Sequence, residues 1–142
     1  MDNEILKKYG LTNKFGAFMG LELELVSAGE VNYYATVKNE HLATGKSVHG
    51  GFLAAMFDQI VGTAALSKAM LDQKVVATVE FKLNYLKPAF IGDKLKGVGK
   101  VISSGKRLYI VEGKIYNQNN DVLALGTATL NAYPFEKSDM NF

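Results

Sequence analysis

His49-Gly50-Gly51-Phe52-Leu53-Ala54-Ala55-Met56-Phe57-Asp58 opens the most apolar segment of this 142-residue chain, and that segment runs on without proline to residue 70. Alanines mixed with large apolar side chains on every face predict a helix buried nearly all round. The segment approaches membrane-spanning length, but Asp58, Gln59 and Lys68 would be costly at bilayer depth, so a buried helix in a globular domain is expected instead. Asp58 is expensive to desolvate among Phe52, Leu53, Met56, Phe57, Ile60 and Val61, and catalysis is one reason to keep it there. The two glycines let a loop pass close to a ligand and begin a helix, whose unpaired N–H groups can hold an oxygen that is gaining negative charge. Donors and a carboxylate together point to acyl chemistry.

Outward from this helix the chain reads as strands. Leu21, Leu23 and Leu25 alternate with Glu22 and Glu24, and after Ser27-Ala28-Gly29 the alternation resumes over 31–38, which predicts a hairpin. Residues 75–86, 93–103, 108–117 and 122–133 are each strand-like, separated by Lys87-Pro88, Ser104-Gly105 and residues 117–121. Residues 1–19 carry Ile5, Leu6, Tyr9, Leu11, Phe15, Phe18 and Met19 at helical spacing, predicting a helical segment broken at Gly10 and Gly16. Residues 134–142 are expected to form a loose tail. The order of helix, two strands, one long helix and four strands predicts an α+β fold, an antiparallel sheet wrapped around one central helix, in a single domain spanning 1–142.

Composition narrows the function. The chain has no cysteine, which removes disulfides, thiolate nucleophiles and thiolate metal sites, and a cytoplasmic location is the expectation. Residues 1–20 carry Asp2, Glu4, Lys7 and Lys8 and do not read as a secretory signal. A net charge of +2 with interspersed signs gives no electrostatic case for nucleic acid. His41 and His49 lack metal-ligand spacing, so no metal is expected. Ser47, His49 and Asp58 lack a Gly-x-Ser-x-Gly elbow, which argues against a serine triad. Gly97 and Gly99 fall inside a strand rather than at a strand-to-helix turn, which rejects a dinucleotide fingerprint.

Three stretches taken in order carry a resemblance to a known family. They are His41-Leu42-Ala43-Thr44-Gly45-Lys46-Ser47-Val48-His49-Gly50-Gly51 with Asp58; Ala77-Thr78-Val79 leading to Tyr85-Leu86-Lys87-Pro88-Ala89 and Gly92-Asp93; and Ser103-Ser104-Gly105-Lys106-Arg107. From about residue 15 to residue 133 the chain resembles the hotdog-fold acyl-CoA thioesterases of the PaaI-like, phenylacetate-pathway branch. The resemblance implies a thioester hydrolase that needs no cofactor, coenzyme A being part of the substrate. It implies a homodimer, assembled further into a dimer of dimers, with active sites shared between subunits. Gly50 would give its N–H to the thioester carbonyl, and Asp58 of the neighbouring subunit would activate water or attack the carbonyl itself. His49 and Gly51 would lie against the substrate, and Thr78 near the reacting centre. Tyr85, Lys87, Pro88, Ser104, Gly105, Lys106 and Arg107 would hold coenzyme A. Two positions depart from the pattern: Ala43 stands where the family commonly has asparagine or glutamine, and Lys46 where it often has glycine. Ala43 raises the alternative of a protein that binds or senses acyl-CoA without hydrolysing it, with Asn39 or His41 as substitutes for the missing amide.

Two further expectations come from the residues themselves. An apolar pocket would raise the pKa of Asp58 and suit it to base work near neutral pH. Strict alternation places Val75, Ala77, Val79, Phe81, Leu83 and Tyr85 on one strand face and Thr78 on the other, so Thr78 needs a bulge or access from a partner subunit to reach the site. Phe52, Met56 and Phe81 are the candidates for lining the acyl pocket, whose occupant would be a medium-chain or aromatic acyl group.

Overall fold

The computed structural model describes residues 3–140. In chain order its elements are α1 (Glu4–Thr12), α2 (Lys14–Phe18), β1 (Glu22–Ser27), β2 (Glu30–Thr36), α3 (Gly50–Ala69), β3 (Lys74–Tyr85), β4 (Lys94–Ser104), β5 (Leu108–Tyr116) and β6 (Val122–Pro134). The six strands form one sheet in the order β1-β2-β4-β5-β6-β3, and every neighbouring pair is antiparallel. The sheet curls around α3, the hotdog arrangement that the resemblance implied.

Alternation explains which face each strand buries. Val31, Tyr33 and Ala35 of β2, Val111 and Ile115 of β5 and Ala128 and Leu130 of β6 are buried around α3, while their neighbours in sequence are more exposed. On α3, Met56, Phe57, Ile60, Val61, Ala64 and Ala65 have no exposed surface. Each of the larger ones contributes roughly 2 kcal/mol by leaving water. The helix comes this close only because β4 and β5 carry glycine beneath it. A Cβ on Gly99 would lie 2.7 Å from Ile60 Cγ2 and 2.9 Å from the Ile60 carbonyl oxygen, and one on Gly113 would lie 2.7 Å from the Phe57 ring. Gly97 is likewise covered by Ile60. The Gly-x-Gly in β4 is therefore a seat for the helix.

Buried polar groups fasten the hairpin to α3. Ser67 Oγ accepts the Gly29 N–H at 2.8 Å and donates to the Ala64 carbonyl at 2.8 Å. The positive φ of Gly29 turns its N–H into that position.

The structure corrects three expectations about the elements. The break in the N-terminal helical segment falls at Asn13, not at Gly10 or Gly16. Asn13 N–H closes α1 on the Tyr9 carbonyl, and its side chain caps α2 by accepting from Gly16 N–H. A residue whose backbone closes one helix and whose side chain caps the next outweighs the lower helix propensity of the glycines. The tail is not loose as far as Met140: Phe135 N–H donates to the Gln73 carbonyl at 2.9 Å, and Phe135 and Met140 pack with Ile5, Leu66, Met70 and Val75. The last two positions of the expected tail, 141 and 142, lie outside the described residues. The third correction concerns β3 and is taken up with the site. Among the described residues no helix is long and apolar enough to cross a membrane.

Gly99→Ala is expected to destabilise the fold by about 1–3 kcal/mol, because the new methyl meets a helix carbonyl that cannot rotate away. Urea unfolding followed by circular dichroism measures this as a lower midpoint with an unchanged slope.

Candidate active site

Asp58 lies on the flank of α3 that the sheet leaves uncovered, in line with half-buried Ala54 and Gly62 one turn before and after it. Its neighbours in sequence point elsewhere: Phe57 into the core and Gln59 towards α1. The apolar enclosure expected around Asp58 is thus absent from the single chain, since the apolar residues of the segment surround the axis of the helix rather than the carboxylate. Asp58 is half-buried at the wall of a cleft of about 420 Å³, lined also by Thr78, Gln59, Tyr9, Leu66, Val76 and Tyr133.

Thr78 reaches this flank through a bulge. The pairing of β3 with β6 runs Thr78↔Leu130 and then Glu80↔Thr129, leaving Val79 without an opposite residue. The extra residue exchanges the two faces of the strand, so Val76 and Thr78 face α3 before it and Phe81 and Leu83 after it. Unbroken alternation over β3 does not hold: Val79 is 61% exposed, and Ala77 is exposed beside it. Thr78 Oγ1 donates to Asp58 Oδ1 at 2.7 Å, which fixes the carboxylate and leaves Oδ2 without a hydrogen bond among the described residues.

A second constellation forms at the start of α3. His49 is its N-cap, and His49 Nδ1 accepts the Gly51 N–H at 2.7 Å, so Nδ1 is the unprotonated ring nitrogen. Gly51 has therefore spent its donor, whereas the exposed Gly50 N–H has no partner among the described residues. Tyr85 donates from its hydroxyl to the Gly50 carbonyl at 2.7 Å and packs its ring against the Gly50 Cα. Lys87 and Pro88 join Gly50 and Tyr85 around a shallow hollow, with Lys87 Nζ 3.3 Å from Asp121 Oδ1 in an exposed ion pair.

Other expected site residues lie apart from both constellations. Ser104, Gly105, Lys106 and Arg107 form the β4–β5 turn, held to the opposite end of β3 by Lys74 Nζ, which donates to the Lys106 carbonyl. Phe52 and Met56 belong to the closed core, and Phe81 packs against Phe57 at 5.2 Å between ring centres, so none of the three lines the cleft beside Asp58. Apolar residues of a helix wrapped by a sheet meet the sheet first. The cleft walls come instead from Tyr9, Gln59 and Tyr133, whose signal in the sequence is a polar atom on an otherwise apolar face.

His41 is buried and stacked on Phe52 at 4.0 Å, and its Nδ1 accepts the Lys38 N–H at 3.0 Å. Its Nε2 has no partner among the described residues. Ala43 sits in the turn that follows, its N–H bonded to the Ser47 carbonyl. Among the described residues no three His, Asp or Glu side chains are placed to hold a metal ion.

With this geometry in hand the comparisons with known proteins become decisive. Residues 45–124 match the model of the thioesterase superfamily, a span that contains the helix, Asp58, Thr78 and the turn at 104–107. The chain belongs to the thioesterase superfamily. Among its superfamily relatives is a candidate esterase of Saccharolobus solfataricus, 32% identical over 136 residues that cover 92% of this chain and 83% of that protein. The acyl-coenzyme A thioesterase PaaI of Escherichia coli is 27% identical over 107 residues, covering 75% of this chain and 74% of that one. The structure of PaaI superposes with a TM-score of 0.84 over 90% of both chains, at 21% identity, which makes the fold the same hotdog. A hypothetical thioesterase of Streptococcus pneumoniae, solved with coenzyme A, superposes with a TM-score of 0.80 at 26% identity, covering 91% of this chain and 97% of that one. The PaaI-like resemblance read from the sequence holds.

Burial holds the His41 imidazolium below the ordinary histidine value of 6.5, against a smaller opposing pull from Glu40. The folded chain therefore binds fewer protons at His41 than the unfolded chain does as pH falls through and below 6.5, and stability present above that value is lost on acidification. Melting temperature measured from pH 7.5 down to pH 5 is expected to fall more steeply in the wild type than in His41→Asn, whose amide oxygen can still accept from Lys38 N–H.

Proposed function

We propose that this chain is an acyl-CoA thioesterase that hydrolyses the thioester of a medium-chain or aromatic acyl group carried by coenzyme A. The observation that carries this reading is the Asp58 carboxylate, gripped on one oxygen by Thr78 and open on the other to a cleft with room for an acyl chain. Asp58 serves either as the base that takes a proton from water as it attacks the carbonyl, or as the nucleophile that forms an anhydride which water then cleaves. Either way the C–S bond breaks and the coenzyme A sulfur leaves with a proton. The unpartnered Gly50 N–H, at the positive end of α3, holds the carbonyl oxygen as it gains charge. The reaction calls for no cofactor. The S. pneumoniae relative solved with coenzyme A and the E. coli acyl-coenzyme A thioesterase support the substrate class.

Gly50 and Asp58 stand eight positions apart on α3, about 12 Å along the axis. A carbonyl held at Gly50 is out of reach of the same chain's Asp58, so the proposed site draws on two chains. β3 offers the join. It is an outer strand of the sheet, twelve residues long, with an edge that a second copy can pair. Two-fold antiparallel pairing of β3 edges reverses one chain against the other. It brings the Gly50 end of one towards Asp58, Thr78 and the 104–107 turn of its partner, where Lys106 and Arg107 face the coenzyme A phosphates. A dimer of dimers completes the proposed assembly.

Free-thiol release from a panel of short, medium, long and arylacetyl CoA thioesters tests the reading. Wild type is expected to turn over part of the panel. Asp58→Asn is expected to lose about a thousandfold or more in kcat, and Thr78→Val about tenfold, since only the orientation of the carboxylate is relaxed. Acyl-CoA binding without thiol release by the wild type would favour the non-catalytic alternative, with Ala43 the residue to restore to asparagine.

A further inference from the structure

Tyr9, Asn13 and Gln59 line the same cleft as Thr78, and a chain of hydrogen bonds orients the two amides. The Gly16 N–H can only donate, and it donates to Asn13 Oδ1 at 3.1 Å, so the other end of that amide, Nδ2, is the donor to Gln59 Oε1 at 2.8 Å. The Gln59 amide is thereby oriented too. Its Nε2 faces three oxygens, those of Tyr9 at 2.8 Å, Tyr33 at 2.9 Å and Thr63 at 3.0 Å. Tyr33 and Thr63 also bond to each other at 2.9 Å, deep in the core. The Tyr9 oxygen accepts from Gln59; Thr63, the other side chain in reach of it, already bonds to Tyr33 and Gln59, and the Tyr9 proton is not taken up by a bond of good geometry among the described residues. Burial raises the Tyr9 pKa, so that proton stays in place throughout the neutral range.

The remaining charge in the cleft has one sign. Asp58 and Asp139 both line it, and no lysine, arginine or histidine does. A group entering past Thr78 meets a hydroxyl proton at Tyr9 and two carboxylates, with Leu66, Val75, Val76 and Leu130 between them.

We infer that the Tyr9 hydroxyl donates a hydrogen bond to the acyl group, so that the cleft selects neutral acyl groups carrying a hydrogen-bond acceptor away from the thioester and rejects those ending in a carboxylate. This assignment rests on the thioesterase reading above. An alkyl chain in the same place strands the Tyr9 proton without an acceptor, and a distal carboxylate meets Asp58 and Asp139 in a partly desolvated cleft.

The experiment compares kcat/KM for hexanoyl-CoA, for ketohexanoyl-CoAs with the keto oxygen on the fourth or fifth carbon, and for adipoyl-CoA, in wild type and Tyr9→Phe. The better keto substrate is expected to exceed hexanoyl-CoA by about tenfold, and adipoyl-CoA to fall at least about tenfold below it. In Tyr9→Phe the ratio of keto to hexanoyl substrate is expected to drop to about one. Tyr9→Phe removes the acceptor of one Gln59 N–H and leaves the contacts to Tyr33 and Thr63 and the Asn13 bond in place, and thermal melting checks that the variant keeps its fold. The wild-type preference is a readout that needs no variant. A wild type that favours hexanoyl-CoA over both keto substrates overturns the inference, as does a Tyr9→Phe that lowers all rates together and leaves their ratio unmoved. Hydrolysis of none of these thioesters, nor of the wider panel, overturns the thioesterase reading and this inference with it.

Discussion

The close approach of α3 to β4 and β5 is the constraint from which the rest follows. Glycine at 97, 99 and 113 lets Ile60 and Phe57 rest almost on the strand backbones, so the sheet closes around the helix and buries it on most of its circumference. A helix held so tightly cannot roll, and one flank is left over. Ala54, Asp58 and Gly62 occupy that flank. The carboxylate is therefore positioned by packing that takes place on the opposite side of the helix, around Ile60 and Phe57.

The β3 bulge completes the arrangement. A regular strand would direct Thr78 away from the helix and leave Asp58 with no hydroxyl to fix its rotamer. One unpaired residue, Val79, reverses the strand faces and places Thr78 Oγ1 against Asp58. A bulge on an outer strand is tolerated because the strand has a ladder on one side only, so a single partner has to absorb the irregularity.

Much of this was legible in the residues. Alternation located all six strands to within a few positions, and the proline-free apolar run located α3, because in both cases burial on a defined face sets the period of the sequence. Asp58 stood out as an ionised group among apolar neighbours, and Gly50 as a donor ahead of a helix. What escaped was decided by geometry between elements. Alternation in β3 continues straight through Thr78 and Val79, so the residues left two routes open for Thr78, a bulge or a partner subunit, and the pairing with β6 decides for the bulge. Phe52, Met56 and Phe81 have the chemistry of a pocket lining, but the sheet reaches them first. Tyr9 and Gln59, separated by fifty positions, form one hydrogen-bonded wall through Asn13, a residue whose capping role also fixes where the N-terminal helices divide.

Two segments outside the sheet and α3 meet at the same cleft: α1 and the cap that follows it supply Tyr9 and Asn13, and the segment after β6 supplies Asp139 and Met140. Neither lies in the span that matches the superfamily model, and neither takes part in the ladder of the sheet. These walls of the cleft are thus hung on the scaffold as two exchangeable panels. A descendant of this chain can change what the cleft admits by altering these two segments while the Asp58 flank of α3 and the glycine seats beneath it stay untouched, so the shape of the cleft and the architecture of the scaffold are uncoupled in this fold.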